Sequence, residues 1–203
     1  DAFQDPNRAA YLRSVVRHAQ GRTEPVHDAW QSSYYDEFLS RDGTSAGSST
    51  SLLLNAMSKS YEELKNFKVG LPVGKRPGQT AAEPTLVEAY WSGRSLPFAE
   101  RHLQAVVLAW RGGASDHADA PGFDDYLLTV PGGSVTVAET EAQIAEVERA
   151  LSAIQVPFST LLTNDPATAD ALHTEMQKLT RYFKSELFSR LGISITYQSG
   201  DGD

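Results

Sequence analysis

Asp165-Pro166-Ala-Thr-Ala169-Asp-Ala-Leu172-His-Thr-Glu-Met176-Gln-Lys-Leu179-Thr-Arg-Tyr-Phe183-Lys-Ser-Glu-Leu187-Phe-Ser-Arg-Leu191-Gly192 reads as one long amphipathic helix. Asp165 offers a carboxylate to the free amides of the first turn, and Pro166 occupies the position where a missing N–H costs nothing. Ala169, Leu172, Met176, Leu179, Phe183 and Leu187 then recur at three- and four-residue spacing, which places them on one face. Gly192 supplies the left-handed residue that ends such a run.

The same pattern repeats toward the amino terminus. Val137, Ile144, Val147, Leu151 and Ile154 mark a helix ending near Pro157. A short helix is expected over 123–130, stopped by Pro131-Gly132-Gly133. Ser95 reads as the cap of a helix with Pro97 in its first turn, Leu103, Val106, Val107 and Trp110 in its stripe, and Gly112-Gly113 at its end. A further helix from about Ser51 carries Leu53, Leu54, Met57, Tyr61, Leu64 and Phe67. Asp5-Pro6 repeats the start signal, and Leu12, Val15, Val16, Ala19, Val26, Ala29 and Trp30 continue to Tyr34 and Phe38, with Pro25 a predicted kink. Only Ile193 to Tyr197 alternates like a strand, and five residues alone make no sheet. The fold class is therefore all-α: antiparallel helices in one bundle or two, with sub-bundles 1–67 and 95–192 on either side of a long irregular loop near 68–94.

Composition excludes several functions. The 203 residues are 40% hydrophobic and 22% charged, an ordinary globular balance. A net charge of −8 opposes nucleic acid or an anionic membrane surface as partner. No cysteine is present, so disulfides and thiolate metal sites are ruled out. No apolar run reaches the ~20 residues a membrane-spanning helix needs.

The chemistry-bearing residues concentrate in Glu88-Ala-Tyr-Trp-Ser92-Gly-Arg94-Ser95. Glu88 can accept hydrogen bonds or coordinate a hard cation, while Ser92 and Ser95 can hold a water or an anion at a helix amino terminus. The competing reading makes Ser95 an N-cap, Arg94 a surface ion-pair partner, and Tyr90-Trp91 an apolar plug. None of the five histidines, His18, His27, His102, His117 and His173, belongs to a His-Glu-x-x-His pair. Each reads as structural, with His102 the one placed to lean toward the loop. Asp116-His117-Ala-Asp119 reads as a solvated connector. Glu139, Glu141, Glu146 and Glu148 read as the wet face of their helix. Asp201-Gly202-Asp203 is either a frayed terminus or a docked acidic tail. No nucleophile has a base that sequence can place beside it.

Taken together, Tyr11-Leu12-Arg13, Leu71-Pro72-Val73-Gly74, the Glu88 to Ser95 turn, Leu191-Gly192-Ile193 and the terminal Asp201-Gly202-Asp203 resemble the imelysin family over nearly the whole chain. That family shows a Gly/Leu-Pro-Leu-Gly step, then Glu-Ser-x-x-Ser-x-x-Ser, and ends in Leu-Gly-Val and Asn/Asp-Gly-Asp; here Ala89 replaces the first Ser. The family's Gly-x-His-x-x-Glu motif, its proposed metal site, is not in these residues. The resemblance thus implies that residues 1–203 form the carboxy-terminal part of an imelysin-like domain, with the amino-terminal portion of the same protein as partner. It further implies an exported bacterial protein, periplasmic or on the cell surface, associated with iron uptake and binding a metal ion or small ligand through Glu88, Ser92, Arg94 and Ser95. The cofactor stays open between a divalent metal and iron. The alternative is a metallopeptidase, the activity for which the family is named; these residues alone assemble neither a metal-bound water nor an activated nucleophile.

Overall fold

A computed structural model describes residues 4–113 and 120–196. Its α-helices follow in the order α1 Pro6–Trp30, α2 Ser33–Ser40, α3 Ser49–Glu63, α4 Leu71–Val73, α5 Ser95–Arg111, α6 Phe123–Leu128, α7 Gly133–Ser152, α8 Phe158–Asn164, α9 Pro166–Thr180 and α10 Leu187–Leu191. π-helical turns over Leu64–Gly70 join α3 to α4, and over Arg181–Glu186 join α9 to α10. No strand occurs among the described residues: 193–196 take no regular form, and Tyr197 lies outside them. No helix among the described residues is long and apolar enough to cross a membrane.

The start and stop signals act as the residues dictate. Asp165 accepts the Thr168 amide at 3.2 Å and Asp5 accepts the Asn7 amide at 2.8 Å, so both helices open on a satisfied donor. Gly112 and Gly192 end their helices in the left-handed conformation.

α3, α5, α7 and α9 share one cluster of buried side chains that extends from Leu54 to Ile193. The division expected at residues 67 and 95 is not marked by any break in it. At its centre the Phe183 ring stands 5.2 Å from Tyr61 and 5.9 Å from Trp110, distances typical of favourable aromatic pairs. The Tyr61 hydroxyl donates to the Met176 carbonyl at 2.6 Å, one turn before α9 widens into its π-helical turns. A side chain that takes up a helix carbonyl in this way loosens the regular ladder.

Three expectations are corrected. The amino-terminal helix does not run on to Phe38: α1 continues through Pro25 and ends at Trp30, and Tyr34 and Phe38 belong to the separate α2. Ser32 causes the break locally, because its hydroxyl donates to the Asp28 carbonyl at 2.8 Å in competition with the backbone. The irregular loop begins at Gly74 and not near Lys68, since the helix runs on through the π-helical turns and Pro72 falls in the first turn of α4, where it is tolerated. Gly74 stops the run at φ 84°, and a Cβ there would lie 2.2 Å from the Ala81 carbonyl oxygen, so only glycine fits. Glu141 is not on a wet face: it accepts the Trp110 indole N–H at 2.8 Å and the Arg111 guanidinium at 3.0 Å, and the Arg111 bond lowers its pKa.

The two ends of the chain differ in burial. No residue of α1 is buried, and Tyr11, Val15, Val16 and Val26 are about half or more exposed. α1 is held through α2 by an aromatic stack of Trp30 on Tyr34 at 4.9 Å and on Phe38 at 5.0 Å. α2 is tied to α3 in turn by the Ser49 amide on the Arg41 carbonyl at 2.8 Å.

Candidate functional site

The loop after Gly74 crosses back over the helices through two 3₁₀ turns, Pro84–Leu86 and Tyr90–Ser92, and delivers Glu88 to the helix run that precedes it. There Lys68 meets the Glu88 carboxylate at 2.9 Å. Glu63 and Lys68 are five residues apart, and the π-helical widening turns both toward the same cleft. α5 contributes His102 from the opposite wall. The resulting cleft of about 430 Å³ is lined by Glu63, Lys68, Glu88 and His102 over an apolar floor of Phe67, Leu71 and Leu86.

Burial and the neighbouring charges act on the one imidazole of this cleft. His102 is half-buried, and Nε2 shares a hydrogen bond with the Ser60 hydroxyl at 2.7 Å. Burial lowers its pKa, and the nearby Lys68 ammonium adds to that, while Glu63 and Glu88 work the other way. The imidazole is accordingly neutral near pH 7, with the Lys68–Glu88 pair in front of it.

Of the four residues expected to form the site, only Glu88 lines this cleft. Ser95 is buried, and its hydroxyl accepts the Ala89 amide at 3.1 Å. It therefore clamps the turn to α5 and does not cap the helix, whose N-cap position is Arg94, with no side-chain bond. Ser92 donates to the Ala89 carbonyl at 3.2 Å, a bond internal to the turn. Arg94 is exposed and makes no ion pair with a described residue. Trp91 is 96% exposed, so it plugs nothing. Both hydroxyls thus hold the turn that presents Glu88. Asp116-His117-Ala-Asp119 and Asp201-Gly202-Asp203 lie outside the described residues.

Sequence reading singled out Glu88 and noted His102, but it passed over Glu63 and Lys68. Their spacing of five is a signal only once the helix is known to be π-helical, because on an α-helix it points them apart.

A metal ion does not fit the described residues alone. No three His, Asp or Glu side chains among them gather at metal-binding distance. At the cleft, an ammonium already sits against Glu88 and a hydroxyl against His102 Nε2. What the arrangement can do is exchange the Lys68–Glu88 pair for contacts to an incoming cationic or hydrogen-bonding group, with the imidazole as a neighbouring acceptor or donor.

No curated protein and no solved structure matches the chain significantly. The model of one family, described as Imelysin, matches residues 1–184, which include α1, the Glu88 turn and all of α9. The chain, all-α and with its polar cleft at the Glu88 turn, belongs to the imelysin family.

Proposed function

We propose that this is an exported bacterial ligand-binding protein of the imelysin family, periplasmic or on the cell surface and associated with iron uptake, and that the Glu88 cleft forms one wall of its site. The observation that carries this reading is the convergence of Glu63, Glu88 and His102 on one open cleft. Carboxylate oxygen and imidazole nitrogen are the donors that iron and other divalent ions take. Glu63, Glu88 and His102 line the cleft without gathering closely enough to hold a metal between them, so in this reading Glu88 supplies one ligand and the metal takes the others from residues beyond those described, such as an amino-terminal portion of the same protein. Ser92 and Ser95 support the site by fixing the turn.

The test is titration of the full-length protein with Fe(II) and with Zn(II), followed by metal analysis after dialysis, with and without Glu88→Ala. Retention of metal that falls about tenfold in the variant is the expected result, because losing one anionic ligand costs at least that much. Equal retention by both proteins, or none by either, overturns the reading.

A further inference from the structure

We propose that a second cleft, on the other side of the Leu64–Gly70 turns, binds a small oxyanion, a phosphate or a carboxylate. It shares no residue with the Glu88 cleft and measures about 500 Å³. Its walls come from three elements. The π-helical turns supply Lys65 and Asn66, the loop after Gly74 supplies Lys75 and Arg76, and α9 supplies His173 and Gln177.

The observation that points to a ligand is Asn66. Its side chain is 6% exposed, it lines this cleft, and its Nδ2 donor has no hydrogen-bond partner. A buried amide N–H left unsatisfied carries an uncompensated desolvation cost, so an acceptor is expected to meet it. The surroundings define that acceptor. Lys65, only 3% exposed, directs its ammonium into the same region and donates to the Gln177 carbonyl oxygen at 2.8 Å. Arg76 is positioned by stacking over the Phe67 ring at 5.1 Å. Lys75 is held against Asp170 of α9, which ties the loop across the cleft.

His173 closes the back wall, and Gly70 is what admits it: a Cβ at Gly70 would stand 3.2 Å from the imidazole Nε2 and 3.0 Å from the Lys65 carbonyl oxygen. Burial, together with Lys65 and Lys75, keeps this imidazole neutral. The charged groups that act on it are Lys65 and Lys75, with Asp170 the one carboxylate. A lining that carries Lys65, Lys75 and Arg76 beside a bare amide donor favours a negatively charged acceptor.

The experiment is a titration of the full chain with sodium phosphate and, separately, with citrate, at ionic strength held constant with NaCl. The Asn66 side-chain amide signals are followed by NMR, and the thermal midpoint is followed alongside. A saturable shift of the Asn66 signals with Kd of ~1 mM or below is expected, weakened about tenfold or more by Arg76→Met, which removes one charge-assisted contact and keeps the apolar stem over Phe67. Asn66→Asp is expected to abolish the rise in thermal midpoint that phosphate or citrate gives the unsubstituted protein. Saturation by phosphate alone assigns a phosphate site, by citrate alone a carboxylate site, and by both a general oxyanion site. An Asn66 signal unmoved by either anion, moved equally by NaCl, or titrating identically in Arg76→Met overturns the proposal. Because neither anion test involves Glu88, its failure leaves the reading of the Glu88 cleft standing.

Discussion

α1 and α9 carry the same kind of sequence pattern and meet opposite fates. Both open on Asp-Pro with a satisfied cap, and both repeat apolar residues every three or four positions. α9 buries Ala169, Leu172, Met176 and Leu179 against α3 and α7, whereas the 25 residues of α1 bury none. An amphipathic period thus states which face of a helix is available for burial, and a neighbouring element decides whether it is covered. Where it is not covered, the stripe of Leu12, Val15, Val16 and Val26 contributes little to folding stability and a good deal to surface stickiness.

The sharpest way to break that contrast is to truncate matched positions. Leu172→Ala on α9 truncates a side chain that is 1% exposed and should cost about 2–5 kcal/mol, while Val16→Ala on α1 should change stability by less than about 0.5 kcal/mol. Urea denaturation of the two variants measures both, and similar losses would show that α1 is covered in solution. The next test concerns the buried pair of Glu62, 3% exposed at its side chain, and Lys184, whose Nζ lies 2.7 Å away. The Glu62 oxygens accept no well-directed hydrogen bond, so the pairing is chiefly ionic. Lys184→Met leaves that carboxylate buried in the body and should cost about 3 kcal/mol; a neutral result in the same assay would mean that the carboxylate reaches solvent.

pH separates the two regions next. His173 has a pKa near 4 against 6.5 for a free imidazole, because burial first, and Lys65 and Lys75 second, disfavour its cation. Between those values the unfolded chain binds a proton that the folded chain refuses, so stability present above about pH 6.5 is lost as the pH falls toward 4. The full shift corresponds to about 3.4 kcal/mol, which solvent reaching the partly exposed ring reduces to about 2 kcal/mol, and His173→Gln should remove it from a plot of unfolding free energy against pH; an unchanged slope would place the imidazole in contact with solvent. A smaller effect is expected at the cleft surface, where Glu88→Gln breaks an ion pair that is partly exposed on both sides and should cost less than about 1 kcal/mol. Finally, Val15→Ser with Val16→Ser should lower binding of a hydrophobic dye and leave the unfolding midpoint in place; dye binding that persists would locate the exposed apolar surface elsewhere.

The helices were legible in the sequence where caps and periodicity agreed, as at Asp165-Pro166 and Gly192. The helix through Val69-Gly70-Leu71-Pro72 was not, because local propensity counts a glycine and a proline against it, while the packing of Val69 and Val73 into the core and the wider π-helical turns hold it. The site was legible by half. Glu88 stood out as a carboxylate in a polar turn, but nothing in the sequence set apart Glu63, or Lys68 at the start of the expected loop. Ser95 carried a cap signal that the Ala89 amide diverted.

By itself the sequence determined the helical class, the positions of the main caps and the turn that carries Glu88, since each follows from interactions within a few residues. Only the tertiary structure decided which apolar faces are covered, that Lys68 pairs with Glu88 across 20 residues of chain, and that His102 and His173 face different clefts. Those outcomes depend on contacts between segments distant in sequence, where burial and geometry override what any short stretch prefers.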